Sequence, residues 1–188
     1  MFELSRRAAL AGLGAAATLG GPARAQGQPT IRIGVLSDMS GPYRDISGPG
    51  CVAAARQAVQ DFAAASGLNV EILQADHQNK ADVGLNIARQ WFDRDGVDAI
   101  TDVNNSGIAF ALNGLAREKN KAHINSGAAS VDFTGPHCSP NAVHWTTDTW
   151  ANAQSTGGAL ARAGATRWYC ITADYAFGPT VPREVTRV

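Results

Sequence analysis

The chain has 188 residues, of which 45% are hydrophobic and 17% are charged, proportions typical of a globular protein that buries one complete core and begins a second. Its 16 basic and 16 acidic side chains give a formal net charge of zero. This balance argues against a nucleic-acid-binding surface or a patch for anionic membranes, because both need a clustered excess of lysine and arginine. The expected partner is a small molecule.

The first 25 residues have the composition of an export signal. Ser5-Arg6-Arg7 supplies positive charge, residues 8–21 form an uncharged run rich in alanine and glycine, and Ala23-Arg24-Ala25 fits the small-x-small pattern of a cleavage site. The run is shorter than the roughly 20 residues needed to cross a bilayer. We therefore expect cleavage after Ala25 and a periplasmic location. The paired arginines leave both the twin-arginine and the general secretory route open.

Short apolar strands then alternate with amphipathic helical segments. The predicted strands are 31–36, 70–75, 97–103, 123–125, 142–147 and 168–172, and the predicted helices carry Val52 to Phe62 before Gly67, then cover about 81–95, 106–119 and 149–163, with another starting near Pro179. Residues 126–141 are predicted to form a long loop. This alternation predicts an α/β fold, a doubly wound parallel sheet covered by helices on both faces.

Cysteine and histidine show no spacing suited to a metal, so neither a metal site nor a cofactor is expected. Cys51, Cys138 and Cys170 are an odd number, which leaves at least one thiol without an internal partner. Each cysteine is expected to be a small buried residue, and Trp145 and Trp150 are expected to belong to the core. The four histidines are interpreted as ordinary residues: His77, His123, His137 and His144.

Three of the predicted strands end in loops of small and hydroxylated residues. These loops are 37–43, 104–107 and 125–130. In an open α/β sheet, ligands bind outside the carboxyl ends of the strands. Backbone N–H groups and short hydroxyls there reach a carboxylate or amide, helped by the positive end of the following helix.

Four stretches of the chain resemble a known family. They are "IRIGVLSDMSGPY…GCVAAARQAV", "NNSGIAFALNGLAREKNKAHINSGAASVDFTG", "CSPNAVHWTTDTW" and "ITADYAFG". They are similar to the leucine/isoleucine/valine-binding family of type I periplasmic binding proteins. The resemblance implies a two-lobed protein that closes on its ligand and delivers it to an ABC permease of the inner membrane. The implied organisation is a signal peptide over 1–25, a first lobe over 26–146 and the start of a similar second lobe over 147–188.

The same resemblance implies the ligand-binding residues. The loops after the third and fourth strands hold the ligand's polar head, an aromatic residue of the first loop lines the cleft, and aromatic residues of the second lobe face it. Ala129 stands where the family often has threonine or serine. The implied ligand is a small polar molecule such as an amino acid, an amide or an aromatic acid. The residues carried over are Tyr43, Asn105, Ser106, Gly127, Ala128, Ala129, Ser130, Tyr175 and Phe177.

Simpler roles exist for several of these residues. Ser106 would suit a helix N-cap, Ser130 would suit a turn, Tyr43 would suit the surface, and Tyr175 and Phe177 would suit packing within the second lobe.

The sequence also bears on two other kinds of function. An α/β hydrolase needs a Gly-x-Ser-x-Gly elbow, which the sequence lacks, and a triad of Asp76, His77 and Ser126 would use only common residue types. We therefore do not expect an enzyme, while a ligand-sensing module of a receptor stays an alternative. The amphipathic element near Pro179 has little to pack against, so the sequence is expected to continue past Val188 and the 188-residue chain to bind its ligand weakly.

Overall fold

The computed structural model describes residues 29–188, so the predicted export signal over residues 1–25 lies outside the described residues. Within them, the strands are β1 (Thr30–Ser37), β2 (Asn69–Asp76), β3 (Ala99–Asp102), β4 (Ala122–Asn125) and β5 (Ala142–His144). The helices are α1 (Gly48–Ser66), α2 (Ala81–Asp93), α3 (Ser106–Lys119), α4 (Thr149–Asn152), α5 (Gly158–Arg162) and α6 (Thr180–Val185). A π-helical turn, Ala153–Gly157, joins α4 to α5.

The five strands form one parallel sheet in the order β2-β1-β3-β4-β5. The chain crosses from β2 past β1 to β3, so the direction of winding reverses between β1 and β3. All five carboxyl ends lie at the same edge of the sheet, and such a reversal opens a crevice at that edge. The predicted doubly wound α/β fold is confirmed.

The core lies between the sheet and the paired helices α2 and α3. Trp91 of α2 packs against β1 at Gly34, where a Cβ atom would overlap the indole ring. Leu36, Ile100 and Leu112 are fully buried around it. Leu112 belongs to α3, so this core also holds α3 on the sheet. The N-terminus of α3 lies at the carboxyl edge, because the helix follows the end of β3.

The opposite face of the sheet is covered only in part. Helix α1 contacts β1 and β2, and it ends as predicted at Gly67, which has φ 67°. Phe62 of α1 is 70% exposed, and Ile124 and Val143 on β4 and β5 are exposed as well. An apolar groove of about 330 Å³ therefore runs between α1 and the sheet.

Three predictions about single segments are wrong. Residues 168–172 form no strand, because a strand needs a hydrogen-bonded neighbour and no strand within residues 29–188 pairs with them. Trp145 is 77% exposed because it follows the edge strand β5, and Trp150 is exposed beside a shallow surface pocket. Neither tryptophan belongs to the core.

The cysteines also differ from the expectation. Cys138 and Cys170 are exposed, and Cys51 is partly buried. Burial and the nearby Asp102 carboxylate raise the pKa of the Cys51 thiol to about 11, so this thiol stays protonated. None of the three forms a disulfide in the described part of the chain. No helix of residues 29–188 combines the length and the hydrophobicity that a membrane span requires.

Stability is expected to depend on pH through His123. This ring is buried, its Nδ1 atom lies 2.5 Å from Asn113 Oδ1, and burial, with His144 nearby, lowers its pKa to about 3. An imidazole in the unfolded chain takes up a proton near pH 6.5. Between these values the unfolded state binds more protons, so the free energy of unfolding falls as the pH falls, by about 1.4 kcal/mol per pH unit from this group.

Urea unfolding of the parent and of His123→Asn at pH 7, 5.5 and 4.5 measures this dependence. Asparagine keeps a donor toward Asn113 but does not titrate, so we expect the variant to lose that part of the slope. His77, whose pKa is also lowered by burial, contributes in the same direction in both proteins. Equal slopes for parent and variant would contradict the assignment to His123.

Candidate functional site

The site begins with a strained turn at the end of β3. Asp102 has φ 76° and Val103 has φ 60°, two successive residues other than glycine in the left-handed region. Such backbone costs about 1–3 kcal/mol per residue and persists only where its surroundings hold it. Here the Ser47 hydroxyl donates to Asp102 Oδ2 over 2.7 Å, and Val103 N–H donates to Leu36 O over 3.0 Å. The turn leads directly into Asn104, Asn105 and Ser106.

Asn105 is the N-cap of α3. Its Oδ1 atom accepts hydrogen bonds from the N–H groups of Gly107 (2.9 Å) and Ile108 (3.2 Å), and its Nδ2 group donates to Asn79 Oδ1 (2.7 Å). The polar atoms of this side chain are therefore occupied. The cap role considered for Ser106 belongs to its neighbour Asn105.

Ser106 is the first residue of α3, and it is 1% exposed. Its hydroxyl has no hydrogen-bond partner within residues 29–188. A buried hydroxyl at the positive end of a 14-residue helix is suited to bind an acceptor group. Of the residues named from the sequence, Ser106 therefore has the geometry most suited to ligand binding.

Asn104 was not singled out from the sequence, yet it has the same property. Its Oδ1 atom lies 3.0 Å from His77 Nε2, and its buried Nδ2 group has no partner in the described part of the chain. His77 Nδ1 accepts a hydrogen bond from the Asn79 N–H group over 3.0 Å, so the ring proton resides on Nε2. His77, interpreted from the sequence as an ordinary residue, thus orients a side chain of the site. The position of Asn104 beside Asn105 was the available signal.

The loop after β4 approaches the loop after β3 very closely. A Cβ atom on Gly127 would lie 2.6 Å from Asp102 Oδ1 and 2.9 Å from Asn104 Cα, so only glycine fits there. The N–H groups of Gly127 and Ala128 donate to Asn125 Oδ1 (3.2 and 2.8 Å). This loop therefore supports the shape of the site with its own backbone.

The later part of this loop is also engaged internally. Ala128 O accepts hydrogen bonds from Asn125 Nδ2 (3.0 Å) and His144 Nε2 (2.9 Å), and Ala129 O accepts from Thr149 N–H (2.9 Å). The Ser130 hydroxyl accepts from Asp132 N–H over 3.2 Å and begins the 3-10 turn Val131–Thr134. The Ser130 hydroxyl therefore stabilises a turn, which is the simpler role considered for it from the sequence.

The aromatic residues named from the sequence contact one another. The Tyr43 hydroxyl donates to the Tyr175 hydroxyl over 2.8 Å, and the two rings meet edge to face at 6.1 Å. Phe177 stacks on Tyr175 at the same centroid distance, and burial raises the pKa of Tyr175. Ala176 lies 3.8 Å from the position of a Cβ on Gly107. Ala176 therefore lies beside Gly107 in the first turn of α3.

Asp76, His77 and Ser126, the three residues considered as a triad, are not joined to one another by hydrogen bonds in the described part of the chain. The Asp76 carboxylate accepts hydrogen bonds from Met39 N–H (3.0 Å) and the Ser40 hydroxyl (2.6 Å). It therefore binds the loop after β1 and not the ring of His77. Ser126 is exposed, and no hydrogen bond among the described residues joins it to Asp76 or His77. Among residues 29–188, no group of three or more possible metal ligands occurs.

Comparisons with known proteins show which family the chain is similar to. The model of a family described as periplasmic binding protein matches residues 30–188. A solved periplasmic binding protein from Burkholderia mallei is 42% identical, with a TM-score of 0.80, over 84% of this chain and 42% of that one. A branched chain amino acid ABC transporter periplasmic ligand-binding protein from Burkholderia xenovorans is 38% identical, with a TM-score of 0.74 and the same two coverages.

More distant structures share the fold. A solute binding protein of an ABC transporter from R. palustris, solved in complex with 4-hydroxybenzoate, is 20% identical with a TM-score of 0.75, over 84% of this chain and 43% of that one. No curated protein sequence matches the chain. In each of these three comparisons, the chain spans less than half the length of the solved relative.

Proposed function

Because the chain belongs to the periplasmic binding protein family, we propose that it serves in an ABC importer as the extracytoplasmic protein that captures a small polar ligand between two lobes. The ligand would be an amino acid, an amide or an aromatic acid, and the receiving partner would be an ABC permease of the inner membrane. The name of the Burkholderia xenovorans relative, a branched chain amino acid ABC transporter ligand-binding protein, supports this type of importer. Catalysis forms no part of the proposal.

One observation gives this proposed function its main support. Asn104 Nδ2 and Ser106 Oγ, two residues apart in sequence, are buried at the N-terminus of α3 without a partner among the described residues. A buried polar group left unpaired costs about 1–3 kcal/mol. A ligand that supplies the missing partner removes this cost when it binds. The helix dipole adds attraction for negative charge. A carboxylate suits both features.

The other residues of the site have proposed supporting roles. Gly127, Ala128, Ala129 and Ser130 would form the floor through their backbone, and Asn105 would hold α3 in place. Tyr43, Tyr175 and Phe177 would form the wall that meets the apolar part of the ligand. These rings suit an aromatic or a branched aliphatic body, which is consistent with the relative solved with 4-hydroxybenzoate.

A thermal-shift screen tests this function. Amino acids, amides and aromatic acids at concentrations up to tens of millimolar are compared with nucleotides and sugars. A ligand at ten times its Kd stabilises the folded state by about 1.4 kcal/mol, which raises the melting temperature by a few degrees. We expect an amino acid, an amide or an aromatic acid to raise the melting temperature. Shifts from nucleotides or sugars alone would contradict the proposed ligand class.

We also propose that residues 1–25 direct export to the periplasm and are removed after Ala25, and that residues 26–146 and 147–188 belong to different lobes. Membership of the family supports the location. Mass spectrometry of exported protein tests the cleavage, since the product should begin at Gln26. An intact Met1 in exported material would contradict it.

A further inference from the structure

We propose that Asn104 determines ligand specificity as a fixed hydrogen-bond donor, and that His77 is the positioning residue that holds its amide in this orientation. The inference rests on the proposed function, since it names the ligand group that the same site selects. It concerns two residues that lie in different loops, after β3 and after β2.

The orientation of the Asn104 amide follows from the ring of His77. Its Nδ1 atom is occupied by the Asn79 N–H group, so Nε2 carries the proton and donates to Asn104 Oδ1 over 3.0 Å. Rotating the amide by 180° would place its NH₂ group against the ring N–H group. Burial lowers the pKa of His77, which keeps the ring neutral with this single donor. The NH₂ group of Asn104 is therefore directed away from His77.

The turn after β2 makes this orientation rigid. Gln78 and Asn79 both have φ 53°, and this left-handed turn carries the Asn79 N–H group that fixes the histidine. The Asn79 side chain also accepts from Asn105 Nδ2 over 2.7 Å. One turn thus holds both the ring behind Asn104 and the cap of α3.

Selectivity follows from the difference between the two unpartnered groups. The Ser106 hydroxyl can rotate, so it serves either as donor or as acceptor. The Asn104 NH₂ group can only donate, and it is buried in a residue that is 8% exposed, so water cannot readily replace a ligand group that fails to accept its hydrogen bond. A ligand that presents a carboxylate oxygen here is bound, and a ligand that presents an ammonium group is rejected.

Nuclear magnetic resonance on the full chain, labelled with ¹⁵N, tests the positioning without any ligand. We expect the His77 ring to show the tautomer protonated at Nε2. A ring protonated at Nδ1 would overturn the inference, whatever the chain binds.

Titration with benzoate and leucine as acid probes, and with benzylamine and isoamylamine as amine probes, tests the specificity. We expect the acids to shift the Asn104 side-chain signals and to bind more tightly than the amines. Asn104→Asp keeps an acceptor for His77 but loses the donor, and it should weaken acid binding by about tenfold to a hundredfold. Asn86→Asp, which adds the same charge on the exposed surface of α2, should leave binding unchanged.

The role of His77 is measured by the ratio of acid to amine affinity, which a purely structural role would not change. His77→Leu frees the amide to rotate and should narrow this ratio, and His77→Gln, which retains a donor, should restore it. Acid binding that shifts Ser106 but is unaffected by Asn104→Asp would overturn the inference and leave the proposed function intact. No shift of any signal by any probe would contradict both.

Discussion

A chimera in which residues 1–188 are continued by the remaining part of the Burkholderia mallei relative is expected to bind its ligand about a thousandfold more tightly than the 188-residue chain. Closure of two lobes normally buries most of the surface of a small ligand. In the proposed organisation, residues 26–146 supply the first lobe and residues 147–188 supply only the start of the second. Contacts worth about 4 kcal/mol separate a micromolar from a millimolar site. Isothermal titration of both proteins with the best ligand of the screen measures the difference.

The control is the same chimera carrying Ser106→Ala. If the first lobe holds the ligand's polar end, this variant loses affinity in the chimera as well. Equal affinity of the 188-residue chain and the chimera would show that the first lobe suffices, and that the second wall adds no binding energy.

Trp91→Ala is expected to lower the free energy of unfolding by about 3–5 kcal/mol, the usual cost of removing a buried aromatic side chain. Trp91 is 6% exposed and lies at the centre of the main core, against Gly34 of β1. The loss of its indole leaves a cavity between α2 and the sheet that the fixed strand cannot fill. Urea unfolding measures the change.

A double-mutant cycle with Gly34→Val tests whether these two positions share one space. Gly34→Val alone should be destabilising, because its side chain would overlap the ring of Trp91. Combined with Trp91→Ala, the valine enters the vacated space, so the double variant should be more stable than the sum of the single effects. Gly114→Ala in α3, where the added methyl meets nothing, should be stabilising by up to about 1 kcal/mol. Strict additivity would contradict the packing of Trp91 on Gly34.

Most of the fold could be predicted from the sequence because its signals are local. Apolar periodicity gave the strands and helices up to residue 163, and a glycine in the left-handed region ends α1 at Gly67. The segment 168–172 has a similar apolar pattern but is not a strand, because pairing depends on a neighbour that its own residues do not reveal. The exposure of Trp145 depends in the same way on β5 being the edge of the sheet.

The sequence placed the candidate site in these loops, but it did not reveal the hydrogen-bond roles of their side chains. The loops after β3 and β4 follow from the rule that ligands bind at the carboxyl ends of parallel strands. Whether Asn104 or Asn105 caps α3 depends on partners that lie about 26 residues earlier, His77 and Asn79. Only the folded chain brings these together, so the sequence named Asn105, the capping residue, and missed Asn104, whose NH₂ group has no partner among the described residues.

The site at the start of α3 is tested most directly by isothermal titration of Ser106→Ala and of its control Ser126→Ala, an exposed serine of the neighbouring loop. The ligand is the compound with the largest thermal shift. We expect Ser106→Ala to bind at least about tenfold more weakly without loss of stability in the free protein, because its hydroxyl has no partner there among the described residues. Ser126→Ala should bind like the parent. Unchanged affinity in Ser106→Ala would contradict the placement of the ligand at this helix.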